Sequence, residues 1–439
     1  MKEEIKREAL TVVIFGGTGD LAMKKLIPAF SRLIHHGIIK KESTIIGVAR
    51  GDYNDYSYKE FLKKSIIDNK EKHYLDEINI RYVKSDFSNI NDIEKIANIL
   101  PYCEIGGCNR IYYLATGYKL FPTIVKGLKK YNLISKGDNF SRIVFEKPFG
   151  NNVKSYCKLR DNLIKVLDEN QIFRIDHYLG KESVQNINIL KSTNAGFWEI
   201  MNNKKVDEIE VVVSEDIGVG NRIGYYNEAG AIRDMIQNHL LQVLSLVLME
   251  KPKNYSSKEI HKEKLKILNK LELGNLNEFS LGQYNSFKKE AEKYGFKNSK
   301  SETYAKIILN CKNKRWNGTK LVLISGKKLP KRYGRIIIKF KNPRDRVVIN
   351  LQPRQDITAK LDGKSIRNMK YCIECGFKPN SPDAYESLFK DVINNDKSLF
   401  VTSEEVYWSW KLVDKIEKLR NKIKFVYYKD GTYPEKTLQ

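Results

Sequence analysis

The sequence predicts a doubly wound α/β domain over residues 1–177, followed by a larger α+β domain with a mostly antiparallel sheet over residues 178–439. Two observations carry this. From residue 10 to about 177, short apolar strands alternate with amphipathic helical stretches, which implies a parallel sheet covered on both faces. After residue 180 the strands follow one another with fewer helices between them, which fits an antiparallel sheet with segregated helices.

The strands of the first half read as TVVIFG (11–16), STIIGVA (43–49), INIRYV (78–83), RIYYLA (110–115), SRIVFEK (141–147) and IFRID (172–176). Helical patterns such as LAMKKLIPAFSRLIHHG and NINDIEKIANIL lie between them, the second opened by Ser88 as a cap. In the second half, DEIEVVVSE (207–215), YAKIILN (304–310), TKLVLIS (319–325), GRIIIKF (334–340) and DRVVINLQ (345–352) alternate as half-buried strands do. The polar, Lys-rich region 252–302 is expected to pack helices on the outside, and residues 403–422 to form one amphipathic helix.

Composition narrows the function classes. A hydrophobic share of 41% with 25 Tyr and 18 Phe argues against disorder. The longest unbroken apolar run, Leu246 to Met249, is far below the roughly 20 residues that span a bilayer. The N-terminus runs charged residues straight into a strand, without the apolar core of a signal peptide, so a cytoplasmic protein with no membrane partner is expected. Cys372-x-x-Cys375 has no second cysteine pair or paired histidines near it, so it is expected to be a reduced structural pair and no metal site is assigned. The net charge of +25 comes from lysines scattered through almost every segment rather than from an aromatic-interleaved stripe. No nucleic-acid partner is therefore expected, and the charge fits phosphorylated small molecules.

The first strand runs into FGGTGDLA, where Gly17-x-Gly19-x-x-Ala22 fits the glycine fingerprint of a Rossmann turn. Such a turn lets backbone approach a pyrophosphate at a helix N-terminus. The second strand ends in Arg50, which can pair with the 2′-phosphate of NADP; Asp52, two residues on, keeps NAD possible. At the end of the last strand of this domain, RIDHYLGKE (174–182) offers His177, Tyr178 and Lys181 as donors of three lengths, a combination suited to a dianionic phosphate. A buried hydrogen-bonded cluster uses such residues too, but lysine is seldom fully buried without a partner. In RDMIQNHLLQVLSLVLMEKP (233–252), the helix from Met235 to Met249 is apolar on nearly every face, so Asn238, His239 and Gln242 need partners inside the fold. Read by itself, His239 is better explained as a satisfied core histidine than as a catalytic group.

These pieces occur together and in order. From FGGTGDL (15–21), through EKPFG (146–150), RIDHYLGKE and RDMIQNHLLQVLSLVLMEKP, to SGKKLPKR (325–332), the chain resembles the glucose-6-phosphate dehydrogenase family. The resemblance implies oxidation of glucose 6-phosphate to 6-phosphogluconolactone with hydride transfer to NADP, by a homodimer or higher homo-oligomer. It implies that His239 is the general base and Asp176 its orienting carboxylate. It further implies that His177, Tyr178 and Lys181 hold the phosphate, that Lys147 touches both sugar and cofactor, and that Glu215 and Asp234 accept from sugar hydroxyls. Lys327 and Arg332 would close the pocket. On the cofactor side it names Gly16, Gly17, Thr18, Gly19, Asp20, Leu21, Lys25, Arg50 and Lys147. Two features depart from the family: Met23 stands where lysine is frequent, and residues 113–117 lack a proline common near the cofactor, so Thr116 and Gly117 are not assigned. The alternatives are a related dehydrogenase of an unphosphorylated sugar, in which the EKP lysine is catalytic, and a basic nucleic-acid-binding protein on a nucleotide-binding scaffold.

Overall fold

A computed structural model of the chain describes residues 9–66, 69–104, 109–135, 139–353, 356–361, 364–367 and 384–434. It divides into two units, Met1–Gly150 with Lys154–His177 and Pro382–Val401, and Asn151–Val153 with Tyr178–Ser381 and Thr402–Gln439. The Cys372-x-x-Cys375 pair lies outside the described residues.

The first unit is built on six parallel strands: β1 (Leu10–Phe15), β2 (Thr44–Ala49), β3 (Asn79–Lys84), β4 (Asn109–Leu114), β5 (Ser141–Phe145) and β6 (Ile172–Arg174). Their order is β3-β2-β1-β4-β5-β6, so the chain reverses its direction of travel between β1 and β4. Val12 lies between Ile45 and Ile111 in register. Every residue of β1 and β2 is buried, as expected for strands covered on both faces, while β3 at the edge alternates. A ligand crevice forms outside the carboxyl ends of such strands at the point of reversal.

A segment from far along the sequence completes this unit. Helix Ala384–Asn394 packs on helix Ile27–His35, with the Phe389 and Phe30 rings 3.8 Å apart and an ion pair between Arg32 and Glu386. Beyond it, Phe400 bridges Ile175 in antiparallel fashion and Val401 donates its N–H to the Arg174 carbonyl at 3.0 Å, which covers the open edge beside β6.

Among the described residues the second unit carries ten strands: β7 (Val206–Ser214), β8 (Leu271–Leu273), β9 (Ser280–Tyr284), β10 (Tyr304–Cys311), β11 (Lys320–Gly326), β12 (Tyr333–Phe340), β13 (Arg346–Gln352), β14 (Ile357–Leu361), β15 (Lys364–Arg367) and β16 (Lys424–Tyr428). They run β15-β14-β13-β12-β7-β11-β10-β9-β16, with β8 added to β10. Only β7–β11 and β9–β16 pair in parallel; the sheet is otherwise antiparallel. Helix Leu241–Leu248 is buried on every face, and its last carbonyls are satisfied from other elements. Buried Lys191 donates to the carbonyls of Leu246 and Met249, and the Trp316 indole N–H to that of Leu248 at 2.7 Å.

Several boundaries differ from the sequence reading, each for a local reason. The 3₁₀ turn Ile90–Ile93 is capped by Asn89, whose side chain accepts from the Asn91 N–H at 3.1 Å; Ser88 instead donates to Asp86. The 252–302 region holds helices Ser257–Leu268 and Phe287–Glu292 but also β8 and β9, whose short runs carry too few alternations to be read as strands. Helix Ser403–Lys418 stops before a separate 3₁₀ turn, Arg420–Lys422. The helix expected from Met235 begins earlier, at Ile232, and runs to Leu240 with π winding before continuing as an α-helix.

Candidate active site

The glycine turn is shaped by what stands against it. Gly16 has φ +88°, and a Cβ there would sit 2.6 Å from the Ala115 carbonyl oxygen; a Cβ on Gly17 would lie 2.8 Å from both the Gly47 Cα and the Tyr58 Oη. The N–H groups of Gly16 and Gly17 both donate to the Val48 carbonyl, and Tyr58 Oη donates to the Gly17 carbonyl at 2.7 Å. The turn is thus fixed by backbone and by one buried phenol, while Gly19, Asp20 and Lys25 remain exposed and Thr18 and Leu21 are half-buried. Asp20 pairs with Lys24 at 2.8 Å on the surface. The helix entered here opens with a π turn, Ala22–Leu26, in which Met23 packs toward the core and so presents no charge to a ligand.

Arg50 is exposed at the end of β2, and the nearby Asp52 carboxylate lies 3.2 Å from the Lys84 ammonium. The Thr116 hydroxyl is buried with no hydrogen-bond partner among the described residues, and its methyl would lie 3.5 Å from a Cβ on Gly16. A lone buried hydroxyl beside a bare glycine turn fits a bound dinucleotide in this unit.

The carboxyl ends of β5 and β6 bring further polar groups into the first unit. Just beyond β5, Glu146 is buried and accepts from Tyr113 Oη, and from Tyr385 Oη at 3.3 Å. Burial pushes its carboxyl up, opposed by the Tyr113 hydrogen bond and the Lys147 charge. Lys147 follows at a half-buried position, before a cis peptide to Pro148. Beyond β6 come buried Asp176 and half-buried His177, whose ring stacks against Tyr385 with centroids 6.2 Å apart.

In the second unit the phenol of Tyr178 is sandwiched. Its ring stacks on the His239 imidazole at 4.3 Å and 23°, and the Lys181 ammonium lies 3.8 Å from its centroid. Lys181 also donates to the Gln352 side-chain oxygen at the end of β13. It stands at the N-terminus of helix Glu182–Thr193, where backbone N–H groups add to its charge. His239, 1% exposed, and Asp234, 3% exposed, both belong to the π-wound helix Ile232–Leu240. Asp234 accepts from Tyr225 Oη at 3.2 Å and has the Arg222 guanidinium 3.9 Å away. Burial, and then the Asp234 charge, push the Tyr225 phenol up, so it stays a donor.

Glu215 and Lys327 come together because β7 and β11 run parallel in register: Ser214 faces Gly326, and the residues that follow the two strands form an ion pair. Lys327 is 8% exposed and its carbonyl accepts from Tyr428 Oη at 2.7 Å. Arg332 is exposed ahead of β12 and has no ion-pair partner among the described residues.

Sequence reasoning missed Tyr58, Tyr113, Tyr385 and Gln352. The signal for Tyr58 was Gly47, a glycine inside a strand, where a Cβ would come within 2.2 Å of the Tyr58 hydroxyl oxygen. Tyr113 and Tyr385 are separated by 272 positions in the chain and converge on Glu146, so neither carries a local signal. No group of three or more metal-ligating side chains is found among the described residues.

Residues 13–186 match the family model for the glucose-6-phosphate dehydrogenase NAD binding domain, and residues 188–438 that for the glucose-6-phosphate dehydrogenase C-terminal domain. Glucose-6-phosphate 1-dehydrogenase of Borreliella burgdorferi is 34% identical, over 92% of this chain and 91% of that one. The enzyme of the same name from Buchnera aphidicola is 36% identical, over 98% and 96%. Among solved structures, a glucose-6-phosphate dehydrogenase in complex with glucose-6-phosphate superposes with a TM-score of 0.86 at 28% identity, covering 100% of this chain and 97% of that one. A 3-ketoreductase from Actinomadura kijaniata, at 10% identity and a TM-score of 0.56, shares the fold alone.

Proposed function

The chain belongs to the glucose-6-phosphate dehydrogenase family, and we propose that it oxidises C1 of glucose 6-phosphate, yielding 6-phosphogluconolactone and reduced NADP. The observation that carries the reading beyond family membership is the Tyr178 sandwich. One phenol joins a lysine suited to a phosphate and the buried imidazole of His239. Neither an apolar core nor a nucleic-acid surface calls for that order of groups.

The roles follow from chemistry. A hemiacetal hydroxyl is a poor acid, and loss of hydride from its carbon becomes easier as the proton departs, so a positioned base is needed. His239 takes that proton, and Asp176 serves as the carboxylate that fixes its tautomer and stabilises the imidazolium. NADP, when bound, accepts the hydride. Lys181, Tyr178 and His177 hold the phosphate dianion through charge-assisted hydrogen bonds. Asp234 and Glu215 accept from sugar hydroxyls, and Lys327 pairs with Glu215 and aims it. Lys147 serves both substrates, and Arg332 is assigned to close over the sugar. Gly16 to Leu21 receive the pyrophosphate, with Lys25 beside them, and Arg50 selects the 2′-phosphate.

Two further statements belong to this reading. The protein works as a homodimer or higher homo-oligomer, supported by the alternating half-buried face of β12 and β13. It works in the cytoplasm; no helix among the described residues is long and apolar enough to cross a membrane.

The test is reduced-nicotinamide absorbance after mixing the protein with NADP or NAD and either glucose 6-phosphate or glucose. Turnover with the phosphorylated sugar and NADP is expected. Turnover only with unphosphorylated sugars would overturn the substrate assignment.

A further inference from the structure

The helix that carries Asp234 and His239 is wound unusually, and the winding has identifiable causes. On an α-helix, at about 100° per residue, two positions five apart point about 140° away from each other. With i→i+5 hydrogen bonding, residues five apart stack on roughly the same side. Residues 232–240 are wound in the second way, and at their end the Leu241 N–H is shared between the Asn238 carbonyl, three residues back, and the Ile236 carbonyl, five residues back. Asp234 and His239 are five apart.

Side chains sit at the points where this ladder departs from the α pattern. Asn238 Nδ2 donates to the Arg233 carbonyl, also five residues back, at 3.1 Å, while its Oδ1 accepts from the His239 N–H at 2.7 Å. At the start of the helix, the Glu302 carbonyl accepts from Ala231 N–H at 2.9 Å and its carboxylate accepts from Ile232 N–H at 3.0 Å. Those are N–H groups that a helix start leaves without internal partners. Arg420 holds the other carboxylate oxygen, and Glu302 is 2% exposed. Gly230, at φ +60°, makes the approach possible: a Cβ there would lie 2.3 Å from the Glu302 oxygen.

We propose that Asn238 and Glu302 are positioning residues that hold residues 232–240 in π winding, and so set Asp234 and His239 on one side of the helix. The inference rests on reading His239 as the base and Asp234 as a sugar ligand. Relaxing the segment toward α winding would turn the two apart and spoil base and sugar contacts together, without touching the nucleotide-binding turn.

Asn238→Ala and Glu302→Ala are compared with Glu302→Gln, which keeps an oxygen for the Ile232 N–H, and with His239→Asn. The expected result for both alanine variants is a fall in kcat of about 10–100-fold with a raised KM for glucose 6-phosphate. The NADP dissociation constant should stay within about twofold of wild type, and Glu302→Gln should recover most of the loss. The acid limb of the kcat/KM pH profile should move in Asn238→Ala, which a general loss of stability would not produce. Should the alanine variants fail to fold, Asn238→Asp, which keeps the acceptor and loses the donor, is read instead for the same drop and the same moved limb. Wild-type kcat and pH profile in folded Asn238 variants, with His239→Asn inactive, would overturn this inference alone. Wild-type turnover in His239→Asn would overturn the underlying reading as well.

Discussion

The phenol of Tyr178 lies against the imidazole of His239 at 4.3 Å, with the Lys181 ammonium on the phenol at 3.8 Å. The group proposed to bind phosphate is therefore in direct contact with the group proposed to take the proton. Remote binding energy of this sort can be used to orient the reacting end. Tyr178→Phe keeps the ring and removes the hydroxyl. It should raise the KM for glucose 6-phosphate about 10-fold, as expected for one hydrogen bond to a charged group, and leave kcat near wild type. Tyr178→Ala should lower kcat too, because the imidazole loses its stacking surface. Steady-state kinetics of the pair separate the two effects.

Lys181 is the residue proposed to discriminate the phosphate. Lys181→Ala should raise the KM for glucose 6-phosphate by about 10–100-fold and leave NADP binding nearly intact. The effect should be absent with unphosphorylated glucose, measured in the same assay.

Arg50 stands exposed where the 2′-phosphate is expected, and Asp52 is paired with Lys84. Arg50→Ala should raise the KM for NADP by about 10-fold or more and leave that for NAD almost unchanged. Equal effects on both cofactors would remove Arg50 from the 2′-phosphate site.

Acid stability should report on a buried cluster in the second unit. Glu405 lies fully buried against Lys264 at 3.0 Å and His261 at 2.9 Å. Burial pushes its carboxyl up, but Lys264 and the His261 hydrogen bond outweigh it and bring the pKa from 4.5 to about 2. A folded value below the unfolded one adds stability that is fully present above pH 4.5 and is lost as pH falls from there toward 2. The contribution is on the order of 3 kcal/mol. Glu405→Gln should lower the urea midpoint at neutral pH, since it leaves Lys264 buried and unpaired, and should flatten the loss of stability in that acid window. A variant with the same acid profile as wild type would refute the assignment.

The parts of this molecule that were legible in the sequence are those whose signal is local. The six parallel strands announce themselves as apolar runs, and the glycine turn follows β1 where a nucleotide-binding turn belongs. The short strands β8 and β14–β16 hold three to five residues, too few for period-two alternation to stand out. Helix Ala384–Asn394 gives no sign in the sequence that it joins the first unit's core, because its partners Phe30 and Tyr113 lie hundreds of residues away. The same limit hid Tyr385 and Gln352. The π winding of residues 232–240 depends on Glu302, 70 positions from Ile232, so periodicity alone predicted an ordinary helix.

The most direct test of the account is turnover by His239→Asn with saturating glucose 6-phosphate and NADP, beside wild type. Loss of the base should lower kcat by about 10²–10⁴-fold, with NADP affinity and the melting temperature nearly unchanged. A folded variant that reduces NADP within a few-fold of the wild-type rate would contradict the account, and the proton acceptor would have to be sought elsewhere, beginning with Lys147.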